Sequence, residues 1–181
     1  THPDVAMTLH NLATLDVLEG HFSAAEPRYL RALQIREHHF GSNAPELIGS
    51  MLELAECYEK QKRWAEAEPL YQRALHVAEV NESNEIPALE RLFSCLTNLG
   101  SFYLEQSRST EAESAYLQAV AVAESLKSNN EEFLEVQIQL YNDLGFLYRQ
   151  EERHEEAHRY YEEALGIAID HLGVFSSQVA E

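Results

Sequence analysis

The chain has 181 residues, and its 31 Asp and Glu against 13 Lys and Arg give a formal net charge of −18. Such a surface repels the phosphates of nucleic acids and of anionic lipids, which argues against nucleic-acid binding and against direct membrane binding. Hydrophobic residues make up 45%, enough for a packed core, so a disordered chain is excluded.

Few helix breakers interrupt the sequence, which contains seven glycines and five prolines. No apolar run approaches the roughly 18 residues of a spanning helix, and the first residues lack the basic-then-apolar pattern of a signal peptide. Cys57 and Cys95 are too few for a disulfide scaffold and lack the paired spacing of a zinc site. We therefore expect two reduced thiols and a cytoplasmic protein.

Apolar residues recur three and four positions apart along the chain, which predicts amphipathic helices. We expect them, in order, over 4–19, 23–38, 45–61, 65–80, 86–106, 110–127, 131–151 and 155–170. The pairs Ser23/Glu26 and Thr110/Glu113 have the spacing of a capping box and predict where the second and sixth helices begin.

The sequence repeats with a period of 42 and then 45 residues. Residues 11–33, shifted by 42, match at nine of 23 positions, and the four units cover approximately 5–40, 47–80, 92–127 and 137–171. Each unit holds two predicted helices, so each is a helical hairpin. Small residues recur in both helices, with one tyrosine beside them, and we interpret these positions as core packing between helices. They are Ala13, Ala55, Gly100 and Gly145, then Ala25, Ala67, Ala112 and Ala157, with Tyr29, Tyr71, Tyr116 and Tyr161.

Several runs of residues carry a family resemblance. They are Leu9-His10-Asn11-Leu12-Ala13, Ala25-Glu26-Pro27-Arg28-Tyr29, Ala67-Glu68-Pro69-Leu70-Tyr71 and Arg73-Ala74-Leu75. In them the unit resembles a tetratricopeptide repeat, specifically the 42-residue type found in kinesin light chains. The resemblance implies an all-α fold, an α-solenoid superhelix of stacked antiparallel helix hairpins. A partial fifth unit is predicted from 176, because His171-Leu172-Gly173 repeats the spacing of His39-Phe40-Gly41, so we expect a fragment of a longer array.

The resemblance also implies a non-catalytic scaffold that binds a peptide segment of a partner in a concave groove lined by the first helices. Its groove positions, carried over by repeat register, are His10, Asn11, Thr14, Glu53, Glu56, Lys60, Asn98, Ser101, Asn142, Asp143 and Arg149, with Val17, Glu59, Leu104 and Phe146 beside them.

Kinesin light chains and chaperone adaptors hold acidic ligands with basic groove residues, and only Lys60 and Arg149 match that pattern. The groove asparagine of the family is matched by Asn11 and Asn98 but replaced by Glu53 and Asp143 in the other two units. Because a carboxylate only accepts hydrogen bonds, we expect a neutral or basic segment as the ligand.

Two alternatives remain open. One is a structural or self-assembling array in which units stack end to end. The other is a zinc hydrolase, because His154-Glu155-Glu156-Ala157-His158 has the spacing in which two histidines bind zinc and a glutamate acts as base. Ala157 is a packing position in the repeat, however, and a third ligand would have to be Glu162 or His171. We expect no metal, no cofactor and no catalytic residue.

Overall fold

Eight α-helices follow one another in a computed structural model of the protein, which describes residues 2–83, 85–126 and 131–178, apart from the side chains of 131–132 and 171–178. The helices are α1 (Pro3–Leu18), α2 (Phe22–Phe40), α3 (Ile48–Lys60), α4 (Trp64–Val80), α5 (Ile86–Glu105), α6 (Ser109–Ser125), α7 (Glu131–Gln150) and α8 (His154–Gln178). A short 3₁₀ helix, Pro45–Leu47, precedes α3. The residues that the structure describes contain no strand.

The helices pair in chain order into four hairpins, units 1 to 4, and each second helix packs against the first helix of the next unit. First helices also approach one another closely, α1 with α3, α3 with α5 and α5 with α7. No two second helices approach as closely in the described part of the chain, where α2 and α4 meet through the long side chains of Glu37 and Arg73 (2.6 Å). First helices therefore line the inner face of the stack, and second helices spread apart on the outer face. The predicted all-α solenoid of helix hairpins is confirmed.

The predicted helix bounds agree with the structure to within about three residues, except at the end of α8. That helix was expected to stop near 170 and continues to Gln178. In α2 the chain leaves the helix at Gly41, which adopts φ of 94°, whereas α8 stays helical through the corresponding Gly173. The partial fifth unit predicted from 176 falls on the last turn of α8 and on 179–181, which lie outside the described residues.

The small residues predicted at the helix contacts are buried, and the repeated tyrosines pack against them as expected. Ala13, Ala55, Ala25, Ala67 and Ala112 are fully inaccessible to solvent. The approach is closest in units 3 and 4: a Cβ added at Gly145 would lie 2.7 Å from the Tyr161 ring, and one at Gly100 would collide with the Tyr116 ring. Backbone spacing in these two hairpins thus depends on glycine.

Every hairpin turns through one residue of positive φ: Gly20, Lys62, Ser107 and Glu152, at 77°, 60°, 59° and 61°. The next amide donates to the carbonyl five residues earlier, as Arg108 does to Tyr103 at 2.9 Å. This is a Schellman arrangement, in which a left-handed residue satisfies the last carbonyls of the first helix. The second helix then begins at once.

The two capping boxes predicted from sequence are wrong. The helix α2 begins at Phe22 and α6 at Ser109, and neither start has a side-chain cap. The turn already places the His21 and Arg108 carbonyls to accept from Ala25 and Ala112, so each helix starts two residues earlier than a Ser23 or Thr110 cap would allow.

Glu26 and Glu113, which belonged to the predicted capping boxes, take part instead in a contact between units, which we call the arginine clamp. In each clamp the arginine at the start of a second helix lies over a tyrosine ring of its own first helix and pairs with a glutamate on the preceding second helix. The three clamps are Arg63 over Tyr58 (4.4 Å) with Glu26 (2.6 Å), Arg108 over Tyr103 (4.3 Å) with Glu68 (2.9 Å), and Arg153 over Tyr148 (4.1 Å) with Glu113 (2.9 Å). The clamps fix how each hairpin sits on the one before it.

Candidate functional site

All predicted groove residues lie on the four first helices, the helices that line the inner face of the stack. Asn11, Glu56, Lys60, Asn98 and Arg149 are exposed. The half-buried ones are His10, Thr14, Glu53, Ser101, Asn142 and Asp143. The half-buried residues concentrate at the junctions between units, so the polar chemistry of this face is organised by junction.

At the junction of units 1 and 2, Glu53 gathers three polar groups. His10 Nε2 lies 3.1 Å from Glu53 Oε1, and the Thr14 hydroxyl donates to Oε2 at 3.1 Å. The Tyr29 hydroxyl lies 3.0 Å from Thr14 Oγ1. Burial alone would raise the pKa of Glu53, but hydrogen bonds from His10, Thr14 and Tyr29 outweigh it and hold that pKa below its usual value. This junction carries an ionised, internally satisfied carboxylate.

Within unit 2, on the side that faces unit 3, the repeated tyrosine bonds to a different carboxylate. The Tyr71 hydroxyl donates to Glu59 Oε2 at 2.7 Å. Burial, with nearby Glu105 adding to it, raises the pKa of Glu59. The residue that corresponds to Glu53 is Asn98, whose Nδ2 donates to the Ser94 carbonyl of its own helix at 2.7 Å. One N–H of this amide is therefore used within its own helix, and its carbonyl oxygen stays available to a partner.

At the junction of units 3 and 4, a cavity of about 210 Å³ opens between α5 and α7. Its lining residues are Thr97, Asn98, Ser101, Tyr116, Val136, Gln139, Leu140 and Asp143, and we call it the Asp143 pocket. The Tyr116 hydroxyl lies 3.1 Å from both Ser101 Oγ and Asp143 Oδ2, and Gln139 Nε2 donates to Asp143 Oδ1 at 2.7 Å. Burial raises the pKa of Asp143, although these hydrogen bonds oppose it.

The sequence identified three residues of this pocket, Asn98, Ser101 and Asp143, and missed the rest. Gln139 and Val136 lie one and two helical turns before Asp143 on the same side of α7, so helical spacing from Asp143 could have found them. The polar role of Tyr116 carries no such signal, because a buried aromatic at a repeat position predicts packing alone. In the structure its ring packs in the core while its hydroxyl reaches the groove.

Charge on the inner face is unevenly compensated. Lys60 lies 3.7 Å from Glu56 of its own helix, and the Arg149 guanidinium lies 5.4 Å from the centre of the Phe146 ring. Both cations are exposed. The buried side of the groove holds the carboxylates Glu53, Glu59 and Asp143, so negative charge is concentrated where a bound segment would be desolvated.

The possible zinc site finds no support in the described residues. His154 is the exposed first residue of α8, and His158 Nδ1 lies 3.4 Å from Glu162 Oε2 with both side chains about 70% exposed. Within 2–83, 85–126 and 133–170, no three His, Cys, Asp or Glu side chains are placed to hold a metal ion together. The side chain of His171 lies outside the described residues. Cys57 and Cys95 are buried free thiols.

No helix among the described residues combines the length and apolar character needed to cross a membrane. A comparison with curated proteins found no match. Among solved structures, BtubC (BKLC) from P. vanneervenii superposes with a TM-score of 0.82 at 20% identity, over 96% of this chain and 67% of that one. A Podosopora anserina putative kinesin light chain with nearly identical TPR-like repeats gives 0.65 at 19% identity, over 93% and 97%. At such identities the likeness shows the fold alone.

Two family models, both described as tetratricopeptide repeat, match the sequence. One matches residues 46–125 and 91–170, and the other matches 5–46. The matches thus extend over all four hairpins, and in fold these hairpins are similar to the TPR-like repeats of the putative kinesin light chain named above. The chain belongs to the tetratricopeptide repeat family.

Proposed function

We propose that this chain is a non-catalytic interaction scaffold whose inner groove binds a peptide segment of a partner protein. The observation that carries the proposal is the row of hydrogen-bonding side chains at the three junctions between units. They are half-buried and held by contacts to the repeated tyrosines, so a ligand would meet a surface that is already ordered. Preorganisation of this kind reduces the entropy lost on binding.

The preferred segment is neutral or basic. The carboxylates Glu53, Glu59 and Asp143 are half-buried, whereas Lys60 is exposed and already near Glu56. An acidic segment would bring like charges together in a partly desolvated groove, which costs more than the same encounter in water.

A peptide-display selection on the immobilised chain tests this proposal, run in parallel on a variant carrying Asn11→Ala and Asn98→Ala. Both asparagines are exposed on the inner face, so the substitutions should leave the fold intact. A matched control carries Gln34→Ala and Gln118→Ala, two exposed positions on second helices. A neutral or basic motif that binds the parent and the control but not the groove variant supports the proposal; an acidic motif, or one kept by the groove variant, contradicts it.

End-to-end self-assembly is a second candidate, and one observation favours it. Val5, Leu12 and Leu15 on α1 are 44–52% exposed, whereas the residues one repeat later, Leu47, Leu54 and Cys57, are buried and face the preceding unit. The exposed α1 face thus has the chemistry of an internal unit interface. The other end of the stack exposes Leu165 and Ile169 on α8.

Sedimentation velocity across a range of concentrations separates the two candidates. If the chain assembles through these faces, its sedimentation coefficient should rise with concentration, and Leu12→Glu with Leu15→Glu should abolish the rise. A coefficient that stays monomeric at all concentrations would refute self-assembly through α1.

A further inference from the structure

The Asp143 pocket exists because one residue of the repeat changes size. In unit 1 the position is His10, whose imidazole packs edge-on to Tyr29 at 5.5 Å and reaches Glu53 in unit 2. In unit 3 the same repeat position is Thr97, whose hydroxyl donates to the Phe93 and Ser94 carbonyls of its own helix at 3.1 Å each. The space that an imidazole would fill at the junction of units 3 and 4 is therefore open.

The same replacement leaves Asp143 without a basic neighbour. Glu53 and Asp143 occupy equivalent repeat positions, and Glu53 has His10 3.1 Å away. Within the described residues no Lys, Arg or His forms an ion pair with Asp143, whose hydrogen bonds come from Gln139 and Tyr116. The opposite directions of the two pKa shifts agree with this difference, because Glu53 is lowered and Asp143 is raised. A cation entering the pocket would compensate a carboxylate that burial now disfavours.

The walls of the pocket favour a long aliphatic stem that ends in this cation. Leu140 is buried and Val136 is 38% exposed, so apolar surface extends from the interior to the rim. The rest of the lining is polar, and besides Asp143 it offers Ser101 Oγ and the side-chain carbonyl oxygen of Asn98 as acceptors. A volume of about 210 Å³ accommodates a single side chain.

Lysine suits these acceptors better than arginine. Gln139 already occupies one carboxylate oxygen of Asp143 and Tyr116 the other, which hinders the two parallel hydrogen bonds of a guanidinium fork. An ammonium group is a compact charge with three donors and no acceptor, and it can satisfy Asp143, Ser101 and Asn98 separately.

We propose that the Asp143 pocket receives a lysine side chain of the bound segment, with its ammonium group at Asp143. The inference rests on the proposed groove function and specifies one residue of the ligand. It places this lysine between units 3 and 4, because the junction of units 1 and 2 is filled by His10 and the position equivalent to Asp143 in unit 3 is Asn98.

One test uses small probes and needs no partner. Nα-acetyl-lysine N-methylamide is titrated into the isotopically labelled chain while NMR follows the side-chain amides of Asn98 and Gln139. The norleucine counterpart of the probe keeps most of the stem without the charge. We expect the lysine probe to shift both amides, the norleucine probe to shift them far less, and Asp143→Asn to remove the difference. Asp170→Asn, at an exposed position on the second helix α8 and outside the groove, is the matched control and should behave as the parent.

Equal shifts from the two probes, shifts that survive Asp143→Asn, or no shift up to the solubility of the lysine probe would each overturn the assignment. Circular dichroism of Asp143→Asn verifies that the variant is folded.

A second test uses a peptide from the display selection in a double-mutant cycle. Replacing its lysine by norleucine should weaken binding to the parent roughly tenfold or more, and the same replacement should have little effect on Asp143→Asn. If enriched peptides depend on Asn11 and Asn98 but contain no lysine coupled to Asp143, the groove function stands and this inference falls. If no peptide is enriched, the groove function fails, and the pocket has no role in binding a segment even if the free probe binds.

Discussion

Replacing Gly100 by alanine tests how closely the helices of unit 3 approach each other. Alanine is the better helix former, by about 1 kcal/mol, so at a position with free space the substitution stabilises. At Gly100 the new methyl group would collide with the ring of Tyr116, which is fully buried and whose hydroxyl is hydrogen-bonded at 3.1 Å to Ser101 and at 3.1 Å to Asp143. The ring cannot turn away without breaking those contacts.

The expected magnitude follows from two opposed contributions. Overpacking a well-packed contact costs about 1–3 kcal/mol, and the upper part of that range applies because the ring is tethered. After the gain in helix propensity, we expect Gly100→Ala to lower the free energy of unfolding by about 1–2 kcal/mol. With an m-value of about 2 kcal/mol per molar urea, the unfolding midpoint should fall by about 0.5–1 M.

Two further glycines serve as controls in the same urea titration, followed by far-UV circular dichroism. Gly166 lies inside α8 with nothing within 4 Å of an added Cβ, so Gly166→Ala should stabilise by about 0.5–1 kcal/mol. Gly145→Ala should fall between the two, because Tyr161 is only half-buried and can yield. Units 1 and 2 have alanine at this position. The cost in unit 3 therefore arises because its two helices lie closer together than those of units 1 and 2, and alanine would force them apart. If Gly100→Ala were as stable as Gly166→Ala, the close-approach argument would be refuted.

Further predictions concern stability. Asp143 has a raised pKa in the folded state, so its ionisation destabilises the fold as pH rises through the ordinary value of an aspartate. Asp143→Asn should therefore be more stable than the parent at pH 7 and lose this advantage at strongly acid pH, measured by urea unfolding at both values. Glu53 has a lowered pKa in the folded state, so its ionised form stabilises the fold above its unfolded pKa of 4.5, and this stability is lost as pH falls through the lower folded pKa. In thermal melts, Glu53→Gln should therefore lose less stability on acidification than the parent does. Ser107→Gly should stabilise by about 0.5–1 kcal/mol, because φ of 59° suits glycine, and a destabilised variant in urea titration would contradict this reasoning. Tyr116→Phe should cost about 1 kcal/mol by the same titration, since it removes the hydroxyl from Ser101 and Asp143, and an unchanged midpoint would mean that these bonds contribute nothing.

The fold was predictable because its signals are periodic and repeated four times. Amphipathic spacing predicts the helices, and the matching of Ala13, Ala55, Gly100 and Gly145 predicts the close helix contacts. The predicted capping boxes are wrong for a local reason. A hydroxyl residue three positions before a glutamate also occurs where a Schellman turn starts the helix, and there the glutamate pairs with an arginine of the next unit.

The site was predictable only as a set of positions on the first helices. The sequence could assign Asn98 and Asp143 to the inner face, but not that the donor group of Asn98 turns back to Ser94 or that burial raises the pKa of Asp143. Such properties depend on residues from neighbouring units. The pocket itself follows from a difference between units, since unit 3 has Thr97 where unit 1 has His10. That this difference opens a cavity is visible only when α7 is placed beside α5.

The arginine clamps make the four hairpins unequal as modules. Units 2 and 3 each have an arginine that pairs with a glutamate of the preceding unit and a glutamate that pairs with the arginine of the following unit. Unit 1 has His21 in the arginine position, and unit 4 has His158 in the glutamate position. A duplicated copy of unit 3 inserted after unit 3 would therefore preserve every clamp, with one more added. Exchanging units 1 and 2 would leave Arg63 and Glu68 without their partners in the neighbouring units, so the order of the hairpins is encoded in these contacts as well as in the covalent chain.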